Sequence, residues 1–426
     1  MKLKTIRARY FPPAIILEFL DPVLGEVKYR EVDVASAFKN ASSVDAITTQ
    51  ILKQEHLSQS RFTHVHGLLS RMFEKLNSYS DQTTTYSFEK EIATHSMPMT
   101  NCAFNKSGDK FVTGSYDRTC KLFNTETGKE LRSFVGHQNV VYGLAFNNPF
   151  GDKVITGSFD KTAKLWSVET AQCWHTFRGH SAEIVCLSFD STSNVIATGG
   201  MDNHCVLWDV RSGNEISKLR GHSSEVISLE FSNTGDLLAT GSFDSTVNIW
   251  DFRGAKNLHS CIGHRSEITA MHFNFTGDKI VSSSMDGTAK LWNTTTGKCE
   301  YTFSGHSDEV LDLAINPSGN RVVTVSADCT ARVYDLESYK CVHILKGHEN
   351  EISKVAFNSH GDRVLTASRD HTSKIWSATT GACLQSLDGH SDDVFSCAFS
   401  YMDDKILTGS KDNTVRLYGL KSQTAT

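Results

Sequence analysis

The chain has 426 residues, of which 39% are apolar and 21% charged, with 29 glycines and only 6 prolines. This composition is typical of a globular protein, and the length allows two or three domains or one large repeat array. Residues 85–426 carry 32 basic and 39 acidic side chains, a balance that disfavours nonspecific binding to nucleic acid. Because the sequence has no apolar run near 18 residues and no secretory pattern at the N-terminus, we expect neither membrane insertion nor export.

Residues 1–84 contain no repeat and predict a small α+β domain. Alternating apolar residues predict strands in KLKTIRARY, AIILEF and EVKYREVDV, with breaks at Pro12-Pro13, Asp21-Pro22 and Gly25. Two helices follow, with Ser43 as the N-cap of the first. Their apolar faces are formed by Val44, Ile47, Ile51 and Leu52, and by Phe62, Val65, Leu68, Leu69, Met72, Phe73 and Leu76. These faces either pack on the strands and the rest of the chain or form part of a groove for a partner protein.

Neither histidines nor cysteines indicate a metal site, and no cofactor is predicted. His64 and His66 flank Val65 on the second helix, where isolated histidines are usually not ligands. The 11 cysteines form no C-x-x-C pair, which favours a reducing compartment and hence the cytoplasm. Four of them precede a Gly-His histidine by seven residues, and for this shared position we predict repeated packing of a small apolar side chain: Cys173, Cys299, Cys341 and Cys383.

From residue 95 onwards, one pattern recurs in steps of 42 or 43 residues. Its histidine follows a glycine in all but the first unit: His95, His137, His180, His222, His264, His306, His348 and His390. An aspartate comes 22 or 23 residues later: Asp117, Asp160, Asp202, Asp244, Asp286, Asp328, Asp370 and Asp412. An aromatic residue follows after six more: Phe123, Trp166, Trp208, Trp250, Trp292, Tyr334, Trp376 and Tyr418.

This period and these marks are typical of WD40 blades in a β-propeller. We therefore predict an all-β eight-bladed WD40 β-propeller with a small N-terminal α+β domain; seven blades plus a degenerate unit is the alternative. The last unit ends near Leu420, after its third strand. Residues about 85–93 occupy the position that GKELRSFV occupies one unit later, so we expect them to close the last blade. The predicted domains are 1–84 and 85–426.

The repeated Ser, His and Asp are also the residue types of a hydrolase triad. An active site is built once, whereas this set is built many times, so a structural role is favoured. The resemblance to WD40 proteins assigns a hydrogen-bond network within each blade to His222, Ser242, Asp244 and Trp250, and likewise to His180, Asp202, Trp208, His264, Asp286 and Trp292. Gly200 in place of the serine, Phe123 in place of tryptophan, and Ala327 after Ser326 predict weaker networks in those blades. We see no nucleophile elbow, phosphate loop or blade-specific catalytic group near the axis, so no enzyme is predicted.

Two positions of the repeat predict a protein-binding face of the propeller. The residue before each turn aspartate is large and apolar in five consecutive blades and cationic in two: Tyr116, Phe159, Met201, Phe243, Met285, Ala327, Arg369 and Lys411. The third residue after each histidine is acidic in six blades: Glu183, Glu225, Glu267, Glu309, Glu351 and Asp393. If both positions reach one face, they anchor and steer a basic partner. Alternatively, Phe159 and Phe243 pack between blades and the acids are a solvated surface.

The opening KLKTIRARYFPPAIILEF, the helical stretch ending in LLSRMFEKLN and the eight units together resemble the dynein axonemal assembly factors with WD repeats. The resemblance implies a non-enzymatic cargo adaptor that links preassembled outer-arm axonemal dynein to an intraflagellar transport complex B subunit for delivery into cilia or flagella. It also implies a location in the cytoplasm, the cilium or flagellum and the basal body region. Two partners need two surfaces. We hypothesise that the N-terminal domain with one propeller face binds the transport train and that another part of the ring binds dynein.

Two other functions remain open at this stage. A substrate receptor of a ubiquitin ligase carries a recruiting segment before the ring and often an arginine-rich face, whereas here the face is acidic and no L-P-x-E-like opening is present. A generic scaffold with an N-terminal dimerising helix fits poorly with N-terminal strands. We expect a monomer.

Overall fold

The computed structural model describes residues 2–9, 14–20, 27–34, 44–55, 61–77, 84–148 and 150–421. The chain divides into two compact units, Met1–Thr84 and Thr85–Thr426. The predicted breaks at Pro12-Pro13, Asp21-Pro22 and Gly25 and the predicted N-cap Ser43 lie outside the described residues. So do the side chains of Met72, Phe73 and Leu76.

The first unit is an antiparallel sheet with two helices. Its strands, in the order 1-2-3, are β1 (Lys2–Arg9), β2 (Ala14–Leu20) and β3 (Val27–Asp33), and its helices are α1 (Val44–Gln54) and α2 (Phe62–Asn77). The core joins Ile15 and Leu17 of the central strand to Ile51 of α1 and Val65 and Leu69 of α2, all nearly inaccessible to solvent. The apolar side chains described on the helices thus pack in the core of their own unit. Packing on the rest of the chain and a groove for a partner protein both stay predictions.

The second unit is an eight-bladed β-propeller, as predicted. Each blade is a four-stranded antiparallel sheet in chain order. The strands of blades 1 to 4, from first to fourth, are β5 (Met99–Phe104), β6 (Lys110–Ser115), β7 (Thr119–Asn124), β8 (Glu130–Val135); β9 (Val141–Phe146), β10 (Lys153–Ser158), β11 (Thr162–Ser167), β12 (Cys173–Arg178); β13 (Ile184–Phe189), β14 (Val195–Gly200), β15 (His204–Asp209), β16 (Glu215–Arg220); β17 (Val226–Phe231), β18 (Leu237–Ser242), β19 (Thr246–Asp251) and β20 (Lys256–Ile262).

The strands of blades 5 to 8 are β21 (Ile268–Phe273), β22 (Lys279–Ser284), β23 (Ala289–Asn293), β24 (Cys299–Phe303); β25 (Val310–Ile315), β26 (Arg321–Ser326), β27 (Thr330–Asp335), β28 (Cys341–Lys346); β29 (Ile352–Phe357), β30 (Arg363–Ser368), β31 (Ser373–Ser377), β32 (Cys383–Leu387); and β33 (Val394–Phe399), β34 (Lys405–Ser410), β35 (Thr414–Leu420), with β4 (Tyr86–Ala93) as the fourth strand of blade 8.

The burial of each strand depends on its position in the blade. First strands line a central channel and contact the first strands of neighbouring blades. Second strands such as β18 are buried over almost their whole length, because blades cover both of their faces. Fourth strands such as β8 alternate between exposed and buried residues, since only one face meets the blade core.

Antiparallel pairing sends the loops of each blade alternately to two faces. We call the face with the second-to-third turns and the links between blades the upper face; it carries the repeated aspartates and histidines. The lower face carries the first-to-second and third-to-fourth connections. Within the described residues, no helix is long and apolar enough to cross a membrane.

The shared cysteine position begins the fourth strand, opposite the repeated aromatic residue, as in the pairs Trp166–Cys173 and Trp292–Cys299. Cys299, Cys341 and Cys383 are exposed, and only Cys173 is half-buried. The prediction that this position holds a packed small apolar side chain is therefore wrong for three blades. The reason is that the fourth strand is the outermost one, with one face towards solvent.

The ring closes through β4, which pairs antiparallel with β35 from Tyr86–Leu420 to Ala93–Thr414. The Tyr86 ring is 3% exposed within the blade 8 core, and its hydroxyl donates a 2.6 Å hydrogen bond to the Asp403 carbonyl. Ion pairs join Glu89 to Lys405 and Glu91 to Arg416 across the same seam. One buried aromatic residue and the ladder thus hold together segments more than 300 residues apart in the chain.

Replacement of Tyr86 by alanine tests this seam. We expect a loss of about 3–5 kcal/mol in the free energy of unfolding, because a filled core site and a buried hydrogen bond are lost. Phe88 on the same strand is the matched control, since its ring is 53% exposed. Phe88→Ala should cost less than about 1 kcal/mol in the same denaturant titration. Equal losses for the two variants would show that the seam is held by the ladder alone.

Candidate protein-binding face

A relay of hydrogen-bonded side chains lies inside each blade. Histidine, aspartate and a hydroxyl take part in all eight blades, and a tryptophan joins them in five; blade 4 illustrates the full set of four. His222 Nδ1 is 2.9 Å from Asp244 Oδ2, and its Nε2 is 2.8 Å from Thr240 Oγ1. The Trp250 indole N–H donates to the same Thr240 oxygen at 2.9 Å. Since an ionised carboxylate only accepts, the proton sits on Nδ1, and Nε2 accepts the threonine proton. The Ser223 backbone N–H also donates to Asp244, so the relay fixes the link between blades on the turn.

The hydroxyl shared by histidine and tryptophan is Thr240, which the sequence analysis did not name. Ser242, two residues further along β18, bonds to backbone groups instead. Its hydroxyl donates to the Ser224 carbonyl at 3.1 Å and accepts the Asp244 backbone N–H at 3.0 Å. A threonine or serine stands ten residues before the aromatic position in every unit, and this signal would have found the relay hydroxyl: Thr113, Thr156, Thr198, Thr240, Ser282, Thr324, Thr366 and Thr408.

The three irregular units differ in what they lack. Blade 1 has no indole donor, because Phe123 packs there against Phe111. Blade 3 has no serine hydroxyl at Gly200, yet its histidine, aspartate and threonine keep their bonds. Blade 6 loses nothing at Ala327, since Ser326 still donates to the Asp308 carbonyl and still accepts the Asp328 N–H. The expected weakening at Ala327 is therefore not seen, because the side chain of residue 327 takes no part in the relay.

The relay also sets the charge state of each pair. Burial works to raise the pKa of Asp244, but hydrogen bonds from His222 and Thr246 hold it well below its usual range. In blade 6, the same opposing effects lower the pKa of Asp328 to about 2. Burial of the ring lowers the pKa of His264, although the Asp286 carboxylate works to raise it. The His264–Asp286 and His306–Asp328 pairs are therefore each an ionised aspartate with a neutral histidine.

Acidification should therefore destabilise the propeller in two stages. The pKa values of three relay histidines, His95, His264 and His306, are lowered in the folded state. Their contribution to the stability of the fold is complete above the histidine pKa of the unfolded state, about 6.5, and is lost as the pH falls below that value. The relay aspartates whose pKa values are lowered in the folded state lose their contribution to stability below about pH 4. We expect the melting temperature to fall between about pH 7 and pH 5, and more steeply below about pH 4, in calorimetric scans. A melting temperature that rises on acidification would contradict this assignment.

Removal of one relay carboxylate should destabilise the whole ring. Asp244→Ala removes the one carboxylate that accepts hydrogen bonds from the buried His222 ring, the Ser223 backbone and the Thr246 hydroxyl, so we expect a loss of about 2–4 kcal/mol. Asp236 of the same blade is the matched control, because its pair with Arg253 is more than half exposed on both sides. Asp236→Ala should cost less than about 1 kcal/mol, measured by denaturant unfolding.

The two predicted face positions are neighbours in all eight blades. The backbone N–H of the residue before the turn aspartate donates to the carbonyl of the third residue after the histidine, over 2.8–3.0 Å. The eight pairs are Tyr116–Pro98, Phe159–Val140, Met201–Glu183, Phe243–Glu225, Met285–Glu267, Ala327–Glu309, Arg369–Glu351 and Lys411–Asp393. On the upper face, each blade therefore places one apolar or cationic side chain beside a second position, which is acidic in blades 3 to 8 and is Pro98 or Val140 in blades 1 and 2.

The upper face is divided into two sectors. In blades 7 and 8 the acids are neutralised, since Arg369 lies 2.8 Å from Glu351 and Lys411 lies 3.8 Å from Asp393. In blades 3 to 6, no such pair is recorded for the described residues, and we call this set the acidic arc: Glu183, Glu225, Glu267 and Glu309. The apolar arc consists of Tyr116, Phe159, Met201, Phe243 and Met285, which are exposed or half-buried.

Local contacts hold both arcs in place. The hydroxyls of Ser224 and Ser266 donate to the carboxylates of Glu225 and Glu267, and these bonds lower the pKa of both glutamates. Both are therefore ionised at neutral pH. Phe159 stacks on Tyr142, with 5.6 Å between ring centroids, so it has a packing role while remaining half-buried.

The central channel contains ionisable groups that the sequence analysis missed. It encloses about 520 Å³ and holds two ion pairs between neighbouring blades, His272–Glu230 at 3.1 Å and Lys354–Asp312 at 3.1 Å. Burial works to lower the pKa of His272, but the Glu230 carboxylate raises it; Asp312 likewise raises the pKa of Lys354. Each of these residues occurs in one blade only, so no repeat marks it. Among the described residues, no cluster of potential metal ligands is present.

These features define a repeat protein of the β-propeller class. The family model for the WD domain, G-beta repeat, matches residues 86–124, 128–167, 171–209, 213–251, 255–293, 297–335, 339–377 and 381–419. The chain belongs to the WD40-repeat family.

Curated relatives share about half of the residues over part of their length. The chain is 52% identical over 197 residues to the human "Dynein assembly factor with WD repeat domains 1" and 48% identical to the Danio rerio protein of that name, covering 46% of this chain and of each relative. The chain thus spans about half the length of the curated relatives it matches. The resemblance to the dynein assembly factors is confirmed. Among solved structures, a computationally designed protein, Ika8, is 32% identical with a TM-score of 0.70, over 77% of this chain and 98% of that one.

Proposed function

We propose that this protein is a non-enzymatic adaptor in the assembly of axonemal dynein. It links preassembled outer-arm dynein to an intraflagellar transport complex B subunit, so that dynein is delivered into cilia or flagella. The observation that carries a binding role is the upper face, where the apolar arc lies beside an acidic arc that forms no ion pair with any residue the structure describes. The names of the relatives support dynein as a partner.

The chemistry of this face fits a basic, amphipathic protein segment. Aromatic residues and methionine are favoured interface anchors, and they need no charged partner. The acidic arc adds attraction for lysine and arginine and speeds encounter. An acidic arc repels phosphorylated segments, which disfavours the alternative of a ubiquitin-ligase receptor for phosphodegrons.

Two partners require two surfaces. We assign the transport train to the N-terminal domain with one propeller face and dynein to another part of the ring, in the cytoplasm, at the basal body and in the cilium or flagellum. The upper face is one of these surfaces. The N-terminal helices contribute through residues other than the apolar ones buried in their own core.

Pull-downs with purified outer-arm dynein and a complex B subunit test the proposal. We compare the full chain with Phe159→Ala/Phe243→Ala and with Glu225→Lys/Glu267→Lys. Each double variant should weaken the binding of one partner about tenfold or more and leave the binding of the other partner unchanged, since the two surfaces are separate.

The control is Glu126→Lys/Glu337→Lys, which makes the same change in net charge at exposed positions of the lower face. It should bind both partners like the unmodified chain. Unchanged binding of both partners to both upper-face variants would remove this face from the proposal. Failure of the unmodified chain to bind either partner would overturn the adaptor role itself.

A further inference from the structure

Blade 2 carries an irregularity that the upper face does not explain. Its unit is 43 residues long rather than 42, and the extra residue lies in the lower-face loop between β9 and β10. The Gly151 N–H reaches back to the Asn147 carbonyl at 2.8 Å, one residue further than the matching Gly108–Asn105 bond of blade 1. The Ser193 hydroxyl of blade 3 donates to the Asn148 carbonyl at 2.8 Å, so the longer loop is tied to its neighbour.

This loop displays Phe150 with 69% of its surface exposed. Trp174, at the start of the fourth strand of the same blade, is 43% exposed, and the Lys153 ammonium lies 5.7 Å from the centroid of its ring. Two grooves adjoin these rings: Phe150 and Trp174 line one of about 520 Å³ at blades 1 and 2, and Trp174 lines a second of about 380 Å³ at blades 2 and 3. Exposed large aromatic rings beside grooves are the usual anchors of protein interfaces.

The charges at this site are opposite in balance to those of the upper face. Four cationic side chains line the two grooves, against two carboxylates: Lys110, Arg132, Lys153 and Arg211 against Asp152 and Glu169. The Asp152 carboxylate is occupied by Lys153 at 2.9 Å and by the Asn147 amide.

Carboxylates outside the linings reduce this excess without cancelling it. Lys110 is 3.6 Å from Asp109. Asp209 lies near Arg211 and accepts the Ser212 backbone N–H at 2.6 Å. The lining of the second groove, which contains Lys153, Arg211 and His175, includes no carboxylate. A carboxylate-bearing partner is therefore complementary to it.

We propose that Phe150 and Trp174 form a second docking site, on the lower face of blades 1 to 3, for an acidic protein segment that inserts one large apolar side chain between carboxylates. The apolar side chain packs between the two rings, and the flanking carboxylates meet Arg132 on one side and Arg211 on the other. The chain as a whole has a net charge of −5, which disfavours a nucleic acid as the occupant. This site is independent of the proposed role in dynein assembly, and its partner class is the opposite of the basic segment that suits the upper face.

Selection from a random peptide display library against the full chain tests this site. Enriched peptides should combine aspartate or glutamate with one leucine or aromatic residue. In fluorescence anisotropy at physiological ionic strength, Phe150→Ser/Trp174→Ser should weaken the binding of these peptides about tenfold or more. Arg211→Glu, which leaves both rings in place, should weaken them by a smaller factor. The control is Ile262→Ser, which removes a 76% exposed apolar side chain from the outer strand of blade 4 and should change nothing.

The proposal is overturned if no peptide is enriched, if the enriched peptides are basic, or if they bind the Phe150/Trp174 variant as well as the unmodified chain. Competition by a single-stranded oligonucleotide that binds more tightly than the peptides would also overturn it, in favour of a nucleic-acid site. Retained binding to the upper-face variants Glu225→Lys/Glu267→Lys would show that the two sites are separate, whereas loss of binding to those variants would place the peptides on the upper face and contradict the proposal.

Discussion

The need to satisfy a buried imidazole and a buried carboxylate governs the rest of this propeller. In blade 4, Asp244 can be buried only because His222, Thr246 and the Ser223 backbone all donate to it, and Trp250 completes the relay through Thr240. The same bonds tie the link between blades to the turn. The residue before the turn aspartate and the third residue after the histidine are therefore held at fixed places in each blade, while their side chains differ from blade to blade.

That division explains what the sequence predicted. The spacing of histidine to aspartate recurs, so the number of blades follows from the pattern. Whether positions such as Phe243 and Glu225 lie side by side was left open by the sequence, and the backbone hydrogen bond between them shows that they do. The channel pairs do not follow from the pattern: His272 and Glu230 lie on different blades and each occurs once, so no period marks them. Nor does the pattern reveal how the side chains at one repeated position pack against their neighbours. Phe159 and Met201 hold the same position, but only Phe159 has an aromatic neighbour to stack on.

The two faces of the ring differ in charge as well as in loop origin. The upper face concentrates carboxylates in blades 3 to 6 and neutralises them in blades 7 and 8, whereas the lower face of blades 1 to 3 has a cationic lining around Phe150 and Trp174. A rigid disc with opposite preferences on its two sides can hold two unlike partners at once, because neither competes for the other's contacts.

The seam in blade 8 has a consequence for biosynthesis. β4 leaves the ribosome before the other strands of the propeller, but the strand that it pairs with, β35, is made after all of them. Until β35 has emerged, the edge of the growing array therefore has unsatisfied backbone donors and acceptors, and the Tyr86 ring has no enclosure. The last pairing joins the two parts of the propeller that are most distant in the chain, so the ring closes only once β35 has been made, and a nascent chain needs protection from edge-to-edge association until then.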